Sequence, residues 1–417
     1  MKKILLYIFI LLSNYIDAQV SIYHGAKIHI GNGQIIENGI IVIKAQQIVD
    51  IGNDLQKIEN KWATDKPVII GLQNTQEIYP GFIAPNCYPG LNEIDAARAT
   101  KDFNEVGNYN PNIRTMTSYN TDSKILPTLA FNGVLAVQSS PFGGAICGTS
   151  SIMATRADNW EDAALYTDDG IYINWQEISQ PASDDQTKTH KEFLEGLSKF
   201  IDEAKAYINL SQVTEKNLKY ESMRGLWQAD KRLYIRVNSA YGILEAIDFA
   251  KQKNIKNIVI VGGTESYKVC GTLKENHIPI ILMNLHRLPN GTDEDVLMPY
   301  KLPKMLLDSG VDFCLALGGS WEVRNLAFQA GTAAAYGLTH EQAVSAITNN
   351  TAKILGCDKQ LGTLQIGKQA TFFISEGDAL DMKGNILYKA FIKGAEINLQ
   401  GQQQELYKKY NKKYFGE

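Results

Sequence analysis

The residues able to support metal or acid–base chemistry are few and scattered along this chain. It contains six histidines and five cysteines in 417 residues, and no two cysteines have Cys-x-x-Cys spacing. A zinc site needs three or four such donors together, and only Cys87 and His286 directly follow predicted strands. We therefore interpret the cysteines as buried or free thiols and His286 as a loop residue with a hydrogen-bond partner.

Carboxylates in predicted loops form the second group of candidates. Glu93 and Asp95 follow one apolar run, and Glu265 opens a helical stretch after another. A pair of acids could act as general acid and base if it reached the reacting group. The alternative is structural, with loop carboxylates capping helices or pairing with Arg98 and Arg114. We expect that role for Glu93, while Glu265 suits a helix N-terminus and could equally face a pocket.

Alternating strands and helices must position these residues. Apolar runs occur at 133–137, 233–237, 257–261, 279–283 and 311–317, and amphipathic stretches occur at 191–209, 241–253 and 341–355. This alternation predicts βα units on a parallel sheet. The runs within 232–336 are numbered as strands five to eight, and strands two to four fall within 132–175. We predict an α/β fold with a (β/α)8 TIM-like barrel over 80–356 and a site at the carboxyl ends of its strands.

Both ends of the chain are predicted to build a second, smaller domain. Short β runs separated by turn residues occupy 19–79, and similar runs occupy 357–400. Alternating apolar residues bounded by glycine and asparagine are typical of β-hairpins. The two segments therefore predict one composite β-sandwich domain, followed by a C-terminal tail at 401–417.

The N-terminus has the pattern of a secretory signal. Lys2 and Lys3 precede an apolar run that ends at Leu12, and Ala18 offers a small residue for cleavage. This pattern predicts a signal peptide at 1–18 and export to the periplasm or the medium. We expect no membrane span in the mature chain. The net charge of −4 and the lack of a basic stripe argue against a nucleic-acid partner.

One stretch resembles the opening of a known barrel family. Residues 77–88 have the sequence EIYPGFIAPNCY, which is similar to the Pro-Gly-[Leu/Phe]-Ile-Asp-x-His-x-His signature of the amidohydrolase superfamily. Further segments resemble its imidazolonepropionase-like branch, especially exported members of the Bacteroidetes type: 91–95, 111–114, 119–124, 141–144, 159–163, 264–268, 330–338, 346–356 and 361–370. The resemblance implies the same barrel and composite domain, with hydrolysis of C–N bonds in amides or cyclic amides by zinc or another divalent metal.

The same resemblance implies that the metal ligands are missing. Asn86 and Tyr88 stand where the family has the two histidines of strand one. Asn238 and Gly262 stand at the histidines of strands five and six, and Gly319 stands near the aspartate of strand eight. We therefore expect no bound metal and no cofactor, with these five positions forming a pocket.

Two functions of different classes remain open. A catalytically degenerate chain would act as a binding or partner protein for an amide-like small molecule, a second copy of itself or an active paralogue. The alternative is an active hydrolase with a repurposed pocket or an atypical metal site. In either case Glu93, Glu265 and His286 are candidates to line the pocket. The missing ligands favour the binding or partner protein.

Overall fold

Two eight-stranded β-sheets organise the chain. The structure is a computed structural model that describes residues 19–179, 181–213, 215–291 and 294–416. The predicted signal peptide lies outside these residues. None of the helices in the described ranges has the length and apolar character needed to cross a bilayer.

The first sheet combines strands from both ends of the chain. Its strands are β1 (Val20–His29), β2 (Ile35–Lys44), β3 (Gln47–Gly52), β4 (Val68–Gly71), β5 (Glu77–Pro80), β14 (Phe372–Ser375), β15 (Leu387–Ile392) and β16 (Ala395–Glu396). They pair in the order β16-β15-β14-β5-β1-β2-β3, with β4 beside β1. The antiparallel pair of β14 and β5 joins the two terminal segments. The predicted hairpins are thus confirmed, while the two-layer sandwich stays a prediction.

The second sheet forms a nearly closed barrel. Its strands are β6 (Phe82–Cys87), β7 (Val134–Ser139), β8 (Ile146–Ala154), β9 (Ala164–Asn174), β10 (Arg232–Val237), β11 (Ile258–Gly262), β12 (Ile280–Met283) and β13 (Phe313–Ala316). They pair in chain order from β6 to β13, and β13 lies beside β6. Strands five to eight match β10 to β13 closely. The residues of β7, β8, β11 and β13 are buried, as expected for a sheet enclosed by helices.

The third barrel strand departs from the all-parallel prediction. Strand β8 runs antiparallel to both β7 and β9. Only residues 140–145 separate β7 from β8, and a parallel crossover needs a connection of about a dozen residues or more. The expectation of a strictly alternating (β/α)8 unit was therefore wrong here. As a consequence the start of β8, with Cys147, lies at the same end of the barrel as the carboxyl ends of its neighbours.

Helices connect many of the strands along the chain, and one helix comes after the last strand. They are α1 (Leu55–Trp62), α2 (Leu126–Ala130), α3 (Trp160–Ala163), α4 (Asp184–Ile208), α5 (Leu218–Ser222), α6 (Arg224–Gln228), α7 (Ala240–Gln252), α8 (Cys270–Glu275), α9 (Met298–Ser309), α10 (Leu326–Ala335), α11 (His340–Ala346), α12 (Asn349–Leu355) and α13 (Gln402–Phe415). The single helix predicted for 341–355 is two helices, because Thr348 has a non-helical backbone with φ −132° and ψ −91°. The predicted C-terminal tail contains α13.

Candidate site at the barrel mouth

Four polar side chains meet at the carboxyl ends of the parallel strands, which form the mouth of the barrel. Asn86 lies near the end of β6, Gln138 near the end of β7, Asn174 at the end of β9 and Arg236 near the end of β10. Arg236 is the direct cross-strand neighbour of Asn174. This is the end at which barrels of this type place their active sites.

The guanidinium of Arg236 lies at the centre of the group. Its Nε and Nη2 donate to Oδ1 of Asn86 at 3.0 and 2.8 Å. Its Nη1 donates to Oδ1 of Asn174 at 3.1 Å and lies 3.6 Å from the sulfur of Cys147. No carboxylate within the described ranges forms a salt bridge with it, in contrast to Arg114, Arg224 and Arg287. This cation is therefore held by neutral acceptors.

Two aromatic rings pack against the same guanidinium. Its central carbon lies 3.7 Å from the ring centroid of Phe142 and 4.2 Å from that of Tyr172. Phe142 packs edge-on against Tyr88 at 5.2 Å, and Tyr88 stacks on Phe103 at 4.8 Å. Burial lowers the pKa of Arg236, but a guanidinium stays protonated in proteins. The cation–π contacts with the rings of Phe142 and Tyr172 help to stabilise its charge.

Asn86 is fixed by its backbone as well as by its side chain. Its φ is +49°, the left-handed region that asparagine adopts more readily than most residues. Its N–H donates to Oε1 of Gln138 at 3.0 Å, and its side-chain amide nitrogen lies 3.2 Å from the sulfur of Met283. The hydroxyl of Tyr172 donates to the same oxygen of Gln138 at 2.7 Å. The residue that holds Arg236 is thus itself part of a hydrogen-bonded network.

A buried carboxyl group lies deeper in the barrel and completes this network. Asp169 of β9 accepts hydrogen bonds from Tyr234 at 2.6 Å, from Gln138 at 2.7 Å and from Ser150 at 2.8 Å. Burial raises its pKa although these three hydrogen bonds favour the charged form. Sequence reasoning missed both Asp169 and Arg236. For Arg236 the available signal was a charged residue inside the apolar run 233–237, because such residues are rarely buried without a partner.

The other three predicted pocket positions, Asn238, Gly262 and Gly319, make none of the contacts described for Arg236. Asn238 is exposed, and its N–H donates to Glu177 at 3.1 Å. Gly262 and Gly319 have φ values of +105° and +88°. A Cβ on Gly262 would lie 2.6 Å from Oδ1 of Asn238 and 3.0 Å from the carbonyl oxygen of Val237, so a larger residue would displace the Asn238 side chain and crowd the backbone. Of the five predicted pocket positions, Asn86 bonds the guanidinium directly, and Tyr88 packs on Phe142, which covers it.

Glu265 caps a helix instead of facing the mouth. Its Oε2 accepts from the N–H of Ala240, the first residue of α7, at 2.9 Å, and its Oε1 accepts from Lys268 at 2.7 Å. Partial burial opposes ionisation, but these two contacts outweigh it and hold the pKa of Glu265 below its usual value. The sequence placed Glu265 at the N-terminus of the helix that follows β11, whereas its side chain caps α7, the helix that follows β10.

His286 and Glu93 also lie away from Arg236 and its partners. The Nε2 of His286 is 2.6 Å from Oγ1 of Thr332 on α10, and partial burial lowers the pKa of this imidazole. His286 therefore has the hydrogen-bond partner expected of a loop residue. Glu93 accepts a long hydrogen bond of 3.5 Å from Asn120 in the neighbouring loop.

Comparison with known proteins agrees with this fold. The profile described as the amidohydrolase family matches residues 136–397, which is more than half of the chain. The chain therefore belongs to the amidohydrolase family. The curated Amidohydrolase tasK of Hapsidospora irregularis is 33% identical in an alignment of 121 residues, with a coverage of 25% of this chain and 11% of that protein. This chain thus spans only a small part of that relative's length.

Two solved structures illustrate how far the fold extends. An amidohydrolase from Thermotoga maritima has a TM-score of 0.79 at 21% identity, covering 91% of this chain and 99% of that one. The ochratoxinase of A. niger has a TM-score of 0.57 at 14% identity, covering 93% of this chain and 99% of that one. At these identities the similarity concerns the fold alone.

The family implies a divalent metal, so the donors at the mouth can be compared with what such an ion requires. They are amide oxygens from Asn86 and Asn174 and the thiol of Cys147, grouped around a guanidinium. Burial raises the pKa of Cys147 although Arg236 opposes the rise, and this sulfur already lies 3.6 Å from Nη1 of the fixed guanidinium. Among the described residues, the one group of three donors close enough to hold an ion lies elsewhere. The residues that surround Arg236 do not fit a divalent metal.

Proposed function

We propose that this chain is an amidohydrolase-family protein without metal-dependent hydrolytic activity, which acts as a binding or partner protein. The observation that carries the proposal is the guanidinium of Arg236, held by Asn86 and Asn174 at the barrel mouth. In this proposal Asn86, Tyr88, Asn238, Gly262 and Gly319 are the former ligand positions of an ancestral metal site.

Electrostatics supports this proposal. Two unit charges 4 Å apart interact by roughly 4 kcal/mol at an effective dielectric constant of about 20, and a divalent ion doubles that value. A metal near Arg236 would therefore meet strong repulsion. Asn86 could not relieve it, because its carbonyl oxygen already accepts two hydrogen bonds from the guanidinium. The fixed cation takes the place of the ion.

The loss of hydrolysis follows from the missing nucleophile. In metal-dependent hydrolases the ion lowers the pKa of a bound water to near neutrality. The buried acid nearest to the mouth network, Asp169, has a raised pKa and already accepts hydrogen bonds from three side chains. A general base must reach a water or substrate proton directly, and Asp169 is enclosed by its own partners.

A binding role is supported by a pocket beside the mouth. Asn174, which also contacts Arg236, lines a pocket of ≈ 480 Å³ together with Asn108 and Gln176. The aromatic rings of Trp175 and Phe193 line the same pocket. This pocket is an open groove in which amide and aromatic side chains lie side by side. Side-chain amides both donate and accept hydrogen bonds, so they suit an amide-like ligand.

Export is part of the same proposal. Lys2, Lys3 and the apolar run ending at Leu12 support a signal peptide cleaved after Ala18. The binding function would then operate in the periplasm or outside the cell. N-terminal sequencing of protein isolated from its native host should begin at Gln19, and a mature chain that still begins at Met1 would contradict export.

Hydrolysis assays with a matched variant test the function itself. The wild-type protein should show no turnover of amides or cyclic amides, with or without added zinc. The variant Asn174→Ala, which removes a pocket amide, should behave in the same way. Turnover by the wild type that Asn174→Ala abolishes would instead establish the alternative, an active hydrolase with a repurposed pocket.

A further inference from the structure

A second cluster of titratable side chains lies where the first sheet meets the barrel. His29 ends β1, Glu77 begins β5, His340 and Glu341 begin α11, and Asp378 follows β14. Strand β5 leads almost directly into β6, so this cluster lies on the amino-terminal side of the barrel strands, away from the mouth. We call these five residues the junction cluster.

The two imidazoles of the junction cluster turn the same nitrogen toward one carboxylate. Nδ1 of His29 lies 2.7 Å from Oε1 of Glu341, and Nδ1 of His340 lies 3.0 Å from the same oxygen. The other nitrogens face separate carboxylates. Nε2 of His29 lies 3.1 Å from Glu77, and Nε2 of His340 lies 2.9 Å from Asp378. The second oxygen of Glu341, Oε2, is buried and has no hydrogen-bond partner.

This arrangement has the chemistry of a metal site with its supporting residues. A histidine that ligates a metal almost always donates its other ring N–H to a carboxylate or carbonyl, which fixes the ring. Here Glu77 and Asp378 occupy those supporting positions. One donor atom from each of His29, His340 and Glu341 lies within 4.8 Å of the others. Two imidazole nitrogens and a carboxylate oxygen form a donor set that zinc accepts, with a fourth position left for water.

We propose that His29, His340 and Glu341 bind one divalent first-row transition ion such as zinc, with Glu77 and Asp378 orienting the two imidazoles. The ion would connect β1 to α11, which are separated by more than 300 residues of chain. The expectation of no metal rested on the barrel mouth, and this site is independent of it.

Packing around the junction cluster holds the donors in place. The ring of His29 stacks on Tyr79 with a centroid distance of 4.1 Å and an interplanar angle of 5°. The side chain of His29 is only 4% exposed, and the hydroxyl of Tyr79 donates to Glu77. At the other side, a capping box between Thr339 and Gln342 fixes the start of α11. A preformed set of donors reduces the ordering that an ion would have to impose.

Protons are the alternative occupants of this site. Asp378 and Glu341 raise the pKa of His340 to about 9, so the cluster without an ion carries protons between its carboxylates. A metal ion would displace those protons, since it binds only neutral imidazoles. The protonated cluster and the metal-bound cluster both place positive charge beside Glu77, Glu341 and Asp378. Because the charge is the same in kind, metal binding has to be measured directly.

Zinc titration of the full mature chain after chelator treatment and dialysis tests the proposal. Calorimetry should give one equivalent in the wild type and in the control His190→Gln, whose pair with Glu245 at 2.9 Å lies outside the cluster. The variant Asp378→Asn should weaken binding about 10- to 100-fold, as for other supporting partners of metal sites. The variant His340→Gln, which removes a ligand, should weaken binding more.

A spectroscopic probe and a second ligand variant complete the test. Cobalt(II) in the same site should show the intense visible absorption of a four-coordinate ion, and Glu341→Gln should abolish it. If His340→Gln fails to fold by circular dichroism, Glu341→Gln takes its place in the zinc titration. The proposal is overturned if the wild type takes up no zinc, or if the folded ligand variants bind zinc as tightly as the wild type.

Discussion

The guanidinium of Arg236 donates two hydrogen bonds to a single oxygen of Asn86, at 3.0 and 2.8 Å. The two residues belong to β10 and β6, so the contact spans the barrel mouth. A positive charge is therefore fixed beside Asn86, one of the positions that we propose as a former metal ligand. This contact also connects the cation to Gln138 and, through it, to the buried Asp169.

Replacing Asn86 should be much more damaging than replacing Asn238. We expect Asn86→His to lower the free energy of unfolding by roughly 1 to 3 kcal/mol, because it leaves two donors of the partly buried guanidinium without their acceptor. Asn238→His is the matched control, because Asn238 is exposed and a surface change away from such features stays within about 0.5 kcal/mol. Equal urea midpoints for the two variants would mean that Asn86 is a relict without a structural role.

Lysine should not substitute for Arg236. An ammonium lacks the planar fork that reaches Asn86 and Asn174 together while stacking between Phe142 and Tyr172. We expect Arg236→Lys to lose roughly 1 to 3 kcal/mol of stability in urea unfolding. The exposed Arg98 provides the control variant Arg98→Lys, which should be neutral. Wild-type stability in Arg236→Lys would show that only the charge matters.

The raised pKa of Asp169 gives stability a pH dependence of known sign. The folded state binds this proton more tightly than the unfolded state does. The contribution of Asp169 therefore falls as pH rises from its ordinary carboxyl pKa through the raised value, and is constant above that. We expect Asp169→Asn to gain stability relative to the wild type across this window, measured by urea unfolding in steps from about pH 4 to 8. A difference that stays constant with pH would contradict the burial of an ionisable group here.

Gly262 should tolerate no side chain. Its positive φ penalises any other residue, and a Cβ would also approach Asn238 at 2.6 Å. Gly33 is the control, because its φ is +97° and a Cβ there would meet nothing within 4 Å. We expect Gly33→Ala to cost about 1 to 2 kcal/mol and Gly262→Ala to cost clearly more, by thermal unfolding. Equal losses of stability in the two variants would mean that only backbone strain acts at Gly262. The close approach of a Cβ to Asn238 would then be no argument against a metal ligand at this position.

Sequence patterns predicted much of the fold but little of the site. Apolar periodicity located strands β10 to β13, because buried parallel strands are continuous apolar runs. It gave no direction for β8, since direction depends on the length of the loop before it. Arg236 was missed because it sits within the strand sequence Leu-Tyr-Ile-Arg-Val. The pairing of His29 with Glu341 joins residues 312 positions apart, which periodicity does not relate.

The most direct test of the metal-free mouth is the metal content of the His340→Gln protein. This variant removes one ligand of the proposed junction site and weakens it, so an ion that survives exhaustive dialysis points to another site, with the mouth as the first candidate. After purification without chelator and exhaustive dialysis, mass spectrometry of the elements should find well under one equivalent of zinc, iron and manganese together. One full equivalent that survives dialysis, and that is lost on a further Asn86→Ala change, would contradict the account of Arg236 as the replacement for the metal.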